Sequence, residues 1–312
     1  IAMDGYGFSL LARRVAEIYT ALNVGQCPTF SPFTSLHGVL EEDRAYHRSD
    51  QISLDRNYWL SHLADAPEPV SLSERTALAG TTCLRCTNYL SPTQVERLKS
   101  TAHQLGVSWA DFIVAAIAGY LHLTTGATGL IFGLPVMGRL GSAALRVPTM
   151  VMNIVPLYVS VRTDASFAML SRQIGQRLRE IRPHQRYRYE QLRRDLKRVG
   201  GNRRLFGSVI NIMPFNYALQ FAGHSSIAHN ISAGPVEDLS ISLSSRSDDL
   251  GIQVTLDANP ACYDLESLTG HQRGLFDLLD RALDAPDAII ASMTQTQVIA
   301  QAPSTGLLQG EP

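Results

Sequence analysis

The chain has 312 residues, of which 45% are hydrophobic and 18% charged, and its formal net charge is −1. This is the composition of a globular protein with enough apolar residues for a sizeable core, one large domain or two smaller ones. The charge balance argues against a wholly basic nucleic-acid binder, no run of 18 apolar residues offers a transmembrane helix, and no basic stretch followed by an apolar run marks a signal peptide.

Taken in order, Ser9 is placed to cap a first helix whose apolar face is Leu11, Val15, Ile18 and Leu22. A proline-rich break over 28–32 precedes two more expected helices, about 34–46 and 54–63. The stretch 65–82, with Pro67 and Pro69 and no periodicity, reads as a crossing segment between two lobes. A strand is expected from Cys83 to Leu90, then a helix capped by Ser91 running to about Leu105. A strongly apolar helix opens at Ser108 and carries Phe112, Ile113, Ala116, Ile117 and Leu121. Leu130–Leu134 reads as a buried strand, 135–148 as a Gly/Pro-rich loop and 151–161 as another strand. Phe167, Leu170, Ile174, Leu178 and Ile181 give the clearest amphipathic helix. Strands are expected over 206–213, 226–232, 239–244 and 250–257, and a last helix over 265–283. Irregular alternation with late strands in succession implies a mixed α/β sandwich and not a doubly wound parallel sheet. From Ala285 the chain reads as a linker or tail.

Four cysteines are too few for a disulfide framework and suit a reducing, cytoplasmic setting. Cys83 and Cys86 form a lone C-x-x-C inside an expected strand, with no further ligands at zinc spacing, so they read as ordinary strand residues; the histidines likewise show no metal-binding spacing. No nucleotide-binding or hydrolase loop occurs.

The opening Ile1-Ala2-Met3-Asp4-Gly5 resembles the end of the H-H-x-x-x-D-G signature of nonribosomal peptide synthetase condensation domains, whose two histidines would lie immediately before Ile1. Other family blocks follow in order. Tyr58-Trp59 resembles the aromatic pair after the motif, and Gly138-Arg139 with Asn153-Ile154-Val155-Pro156-Leu157 resembles the G-R loop and its following strand. His184-Gln185-Arg186-Tyr187 resembles the His-Gln block, Phe206 to Phe215 the Asn-containing strand, and Gly234 to Leu239 a final turn and strand. Within the family the siderophore synthetases are the nearer resemblance.

The resemblance implies an α/β, chloramphenicol-acetyltransferase-like two-lobed sandwich with its first lobe incomplete: residues 1–66 as the remnant of the N-terminal lobe, 67–284 as the C-terminal lobe, 285–312 as linker. It implies amide formation between carrier-bound thioesters of secondary metabolism. No cofactor is bound directly; phosphopantetheine arms carry the substrates. The expected partners are carrier proteins and an adenylation domain, with neither nucleic acid nor membrane. The family's best catalytic candidate is the second histidine, so these 312 residues alone are expected to be inactive.

The motif tail assigns Asp4 and Gly5 to the active-site loop and pairs Asp4 with Arg139; otherwise Asp4 simply caps a turn and Arg139 is solvated. Tyr6, Asn153 and Asn211 are tunnel candidates, although a buried Asn also serves to tie backbone segments together. Residues 172–204 hold 12 Lys or Arg against three acids. Arg177, Arg186, Arg188 and Arg194 are therefore candidates for docking an acidic carrier protein, beside the simpler reading of solvated arginines. The rivals are a stand-alone acyltransferase of the same superfamily and a nucleic-acid-binding module built on that basic stretch. Val136-Met137-Gly138-Arg139 argues against an epimerization domain, and Gly7 against a heterocyclization domain.

Overall fold

In the computed structural model, residues 3–200, 203–213, 219–228, 230, 234–245 and 251–293 are described. Local chemistry sets the helix starts. Ser91 and Gln94 cap each other's backbone at the head of one helix, and Ser108 and Asp111 do the same at the next. These reciprocal boxes satisfy N–H groups that have no partner within the helix. The helices are α1 (Gly5–Asn23), α2 (Leu36–Arg48), α3 (Gln51–His62), α4 (Pro92–Leu105), α5 (Trp109–Thr125), α6 (Phe167–Ile181), α7 (Tyr189–Asp195) and α8 (Leu265–Asp284).

Six strands make one mixed sheet: β1 (Leu84–Leu90), β2 (Gly129–Val136), β3 (Asn153–Ser160), β4 (Ser208–Met213), β7 (Leu239–Ser245) and β8 (Ile252–Ala258). Their order is β1-β8-β7-β4-β2-β3; β4 runs parallel to β2 and β7, and the other pairs are antiparallel. The remaining strands, β5 (Gln220–Phe221) and β6 (His224–Ser225), form a small hairpin. Helix α5 buries every residue from Phe112 to Leu121 and contacts α4, α6 and α8, so it is the hub of the core. The expected stripe of α6 points inward at Phe167, Leu170, Ile174 and Ile181. No single described helix is long and apolar enough to cross a membrane.

Two expectations are corrected. Asp4, not Ser9, caps α1, so the helix starts earlier; Ser9 is buried in its first turn and donates to the Tyr6 carbonyl at 2.8 Å. Leu11, Val15 and Leu22 on the apolar face of α1 are exposed, as are Phe8 and Tyr19, which is the outcome expected for an incomplete first lobe. The strand expected over 226–232 is absent at 226–228, and 229, 231 and 232 lie outside the described residues. The β5–β6 hairpin precedes it instead, turning through Ala222 and Gly223 at positive φ and leaning on α1, where the Ala222 N–H donates to Thr20 Oγ1 at 2.9 Å.

Contacts cross both expected domain limits. Trp59 and Leu63 of the α3 region belong to the main core cluster. Beyond α8, Ile290 and Met293 are buried, and backbone bonds join Pro286 to Ala168 and Ile290 to Ala165. The fold therefore continues to Met293, past Asp284. The crossing segment is a bolted strap: Ser71 donates to Asp238 at 2.8 Å, Ser73 to the Cys262 carbonyl at 2.6 Å, and Asn259 to the Leu78 carbonyl at 2.9 Å.

Candidate active-site loop

Asp4 closes the first turn of α1 and at the same time reaches the loop between β2 and β3. Its Oδ1 accepts from the Gly7 N–H at 2.8 Å, and its Oδ2 from the Val151 and Met152 N–H groups at 3.0 and 3.1 Å. Arg139 Nη2 donates to both oxygens, at 2.8 and 3.0 Å. The side chains are 4% and 0% exposed. Burial pushes the Asp4 carboxyl up, but the Gly7 and Val151 N–H groups and the Arg139 charge outweigh it, and the group is held below its ordinary range.

Arg139 organises its own loop as well. Its Nη1 donates to the carbonyls of Ala144 and Val147, and its Nη2 also to that of Thr149. The guanidinium lies 4.9 Å from the centre of the Tyr6 ring, which gives Tyr6 a packing role at this junction. Gly5 is exposed at the head of α1. Gly7 is required by close approach, because a Cβ there would sit 2.8 Å from the Thr149 carbonyl oxygen.

A second cluster lies beside this loop. Asn153 is buried at the start of β3; its Nδ2 donates to the carbonyls of Gln185 and Tyr187, both at 2.8 Å, and its Oδ1 accepts from the Tyr189 N–H at 3.0 Å. Both polar side-chain atoms of Asn153 thus tie β3 to the His-Gln block and Tyr189, the backbone-tying role of the two weighed for it. Asn211, half-buried on β4 opposite Ser242, is not brought to Asp4 by any described contact. His184 stacks on Tyr58 with ring centres 3.8 Å apart, and its Nδ1 lies 2.8 Å from Asp55. Asp55 is fully buried and also accepts from Tyr46 at 2.8 Å and Gln51 at 2.6 Å, while Trp59 Nε1 donates to the His184 carbonyl at 3.0 Å.

The arginines of 172–204 are mostly spent within the fold. Arg177 pairs with Glu180 at 2.9 Å, and Arg186 covers the Tyr46 ring and donates to the Glu42 carbonyl at 3.0 Å. Arg188 leans on the Val151 and Met152 carbonyls, Arg198 pairs with Glu68, and Arg204 bonds the Ala77 carbonyl. Arg194 is exposed and, with Arg56, Arg188 and His47, lines a groove of about 490 Å³ between α2, α3 and α7. Sequence reasoning missed the Thr149–Met152 backbone and Asp55. The legible signal for Asp55 is a carboxylate four residues before Trp59, on the same helix face.

A buried carboxylate–guanidinium pair ties Asp4 at the head of α1 to a loop of the mixed sheet, and the fold is the chloramphenicol-acetyltransferase-like fold of condensation domains. The chain belongs to the condensation-domain family, whose model matches residues 1–301. It is 48% identical over 299 residues to isonitrile lipopeptide synthase of Streptomyces coeruleorubidus, with 96% of this chain and 20% of that protein covered. It is 47% identical over 293 residues to a dimodular nonribosomal peptide synthase of Bacillus subtilis (strain 168), covering 94% and 12%. Enterobactin synthase component F of Escherichia coli O157:H7 is 33% identical over 281 residues, covering 88% and 21%. Among solved structures, the starter condensation domain of rhizomide synthetase, in complex with C8-CoA and Leu-SNAC, superposes with a TM-score of 0.86 at 36% identity, covering 94% of this chain and 66% of that one. The chain thus spans about a fifth or less of those synthetases and about two thirds of that solved domain.

Proposed function

We propose that this chain is the greater part of a domain that joins a carrier-bound acyl or peptidyl thioester to a carrier-bound aminoacyl thioester in a nonribosomal peptide synthetase. The observation that carries the reading is the Asp4–Arg139 clamp, which fixes the D-G end of the family motif against the loop of the sheet. In the reaction the amine nitrogen attacks the thioester carbonyl, the new C–N bond forms, the C–S bond breaks and the thiol leaves as the amine gives up its proton. Asp4 is not the base in this scheme: its oxygens are occupied by N–H donors and its carboxyl is held in the ionised form by them. Its role, with Gly5 beside it, is to hold the backbone that presents the motif histidine. The solved relative holding C8-CoA and Leu-SNAC, an acyl thioester beside an aminoacyl one, supports this substrate class.

The partners in this reading are carrier proteins delivering phosphopantetheine arms, and an adenylation domain of the same synthetase. The relatives, all far longer than this chain, favour a synthetase over a stand-alone acyltransferase. Arg194, at the groove between α2, α3 and α7, is the first proposed contact for an acidic carrier surface; Arg177, Arg186 and Arg188 are engaged within the fold and act less directly. The four free cysteines fit a reducing, cytoplasmic setting. The exposed side of α1 is proposed to pack against further chain of the same domain.

The test is condensation between two loaded carrier proteins, read by mass spectrometry of the acceptor arm. A domain extended upstream to include a His-His pair is expected to form the amide, and the 312 residues alone are not. Product from the short chain, or none from the extended one, would overturn the reading.

A further inference from the structure

The clamp raises a mechanical question. Arg139 sits on a long loop whose tip is exposed: Leu140 is 73% and Leu145 42% exposed. A guanidinium on such a loop can hold Asp4 in place only if something outside the loop fixes it. The fixing group comes from α2. One carboxylate oxygen of Glu42 accepts from Ser142 Oγ at 2.5 Å and the other from the Ala143 N–H at 2.8 Å, at the head of the short turn Ala143–Arg146. The helix is shaped for the contact, since Gly38 leaves room where a Cβ would lie 3.3 Å from that of Ala143. The Thr34 N–H donates to the Arg146 carbonyl at 3.1 Å, just before α2. The same turn supplies the Ala144 and Val147 carbonyls that receive Arg139 Nη1.

We propose that Glu42 is a positioning residue of the condensation reaction, acting through the 142–147 turn and Arg139 to set Asp4 and the motif backbone. The inference rests on the function proposed above. Glu42 donates nothing to substrate; it fixes the carbonyls that aim the guanidinium, which in turn fixes the carboxylate holding the Gly7, Val151 and Met152 N–H groups. A residue that acts this way changes the rate more than the affinity, because small misplacements of the reacting groups are costly in rate.

The experiment uses the intact synthetase module with Glu42→Gln and Glu42→Ala. Hydrogen exchange is read at the Ala143, Gly7, Val151 and Met152 amides, alongside kcat and KM for a carrier-bound acceptor. Exchange is expected to rise at all four amides, kcat to fall by roughly ten- to a hundredfold, and KM to hold. Glu42→Asp, which keeps the charge at shorter reach, should recover part of the rate. Faster exchange at Ala143 alone, with Gly7, Val151 and Met152 unchanged, would show a local cap and overturn the proposal, as would unchanged kcat. Should Glu42→Ala fail to fold, Glu42→Gln carries the same comparison. A wild-type module that forms no amide would overturn the function itself, a result distinct from any pattern of exchange.

Discussion

Removing either member of the Asp4–Arg139 pair should be among the most damaging changes available in this chain. Breaking a buried pair costs about 3–5 kcal/mol, whereas an exposed pair contributes about 0–1 kcal/mol; side-chain exposures of 4% and 0% place this one in the first class. Arg139→Ala strands the Asp4 charge and leaves the Ala144, Val147 and Thr149 carbonyls without their donor. Asp4→Asn keeps the shape but removes the charge and replaces one oxygen by an NH2 group, which faces either the Gly7 N–H or the Val151 and Met152 N–H groups. Each single change is expected to cost about 3–5 kcal/mol, and the double change to fall short of their sum by roughly 1–3 kcal/mol. Urea unfolding followed by the fluorescence of buried Trp59 measures all four proteins. The pH dependence adds a second check. Asp4 has a lower pKa folded than its ordinary 3.8, so its contribution is complete above that value and is lost as pH falls through the folded one. The wild type should therefore lose stability more steeply in acid than Asp4→Asn. Strictly additive losses, or single costs below about 1 kcal/mol, would refute a buried coupled pair.

Gly7→Ala should destabilise the chain, because its Cβ would press on the Thr149 backbone, while Gly270→Ala on α8, with open space around it, should be neutral or stabilise by up to about 1 kcal/mol; thermal melts compare the two. Ser91→Ala removes a capping box and is expected to cost about 0.5–2 kcal/mol in the same assay. Burial lowers the pKa of His271, which packs against Tyr120, so the folded state holds it neutral and stability falls as pH drops below its ordinary 6.5. His271→Gln should flatten that part of the stability–pH curve, and an unchanged curve would count against the assignment.

The elements that were legible are those whose signals are local. Helices α4 and α5 announce themselves by Ser91-x-x-Gln94 and Ser108-x-x-Asp111, and α6 by a continuous apolar stripe. Helix α7 was not legible: it has two turns, and Leu192 is its only buried residue. The β5–β6 hairpin has strands of two residues, below the length at which alternation can show. Ser9 misled because two cap-forming residues lie close together, and Arg139 with the Val151 and Met152 N–H groups, supplied from far along the chain, favours Asp4. The Asp4–Arg139 pair spans 135 residues and was reached through the resemblance, since no periodicity couples such distant positions. Over 172–204 a count of arginines could not show that carbonyls and carboxylates of the same fold hold several of them.

The strap over 64–83 looks from the sequence like a natural place to cut and splice such a domain, being proline-rich and outside the sheet. The contacts described above make it a poor recombination point. A crossover there would take Asp4, Glu42, Asp55 and Trp59 from one parent and Arg139, Ser142 and His184 from the other, so each of these polar contacts would have to match between parents. The strap's own bonds to Asp238, Cys262 and Asn259 would have to match as well. Hybrid synthetases whose junctions leave residues 3–293 together inherit each of these contacts from a single ancestor.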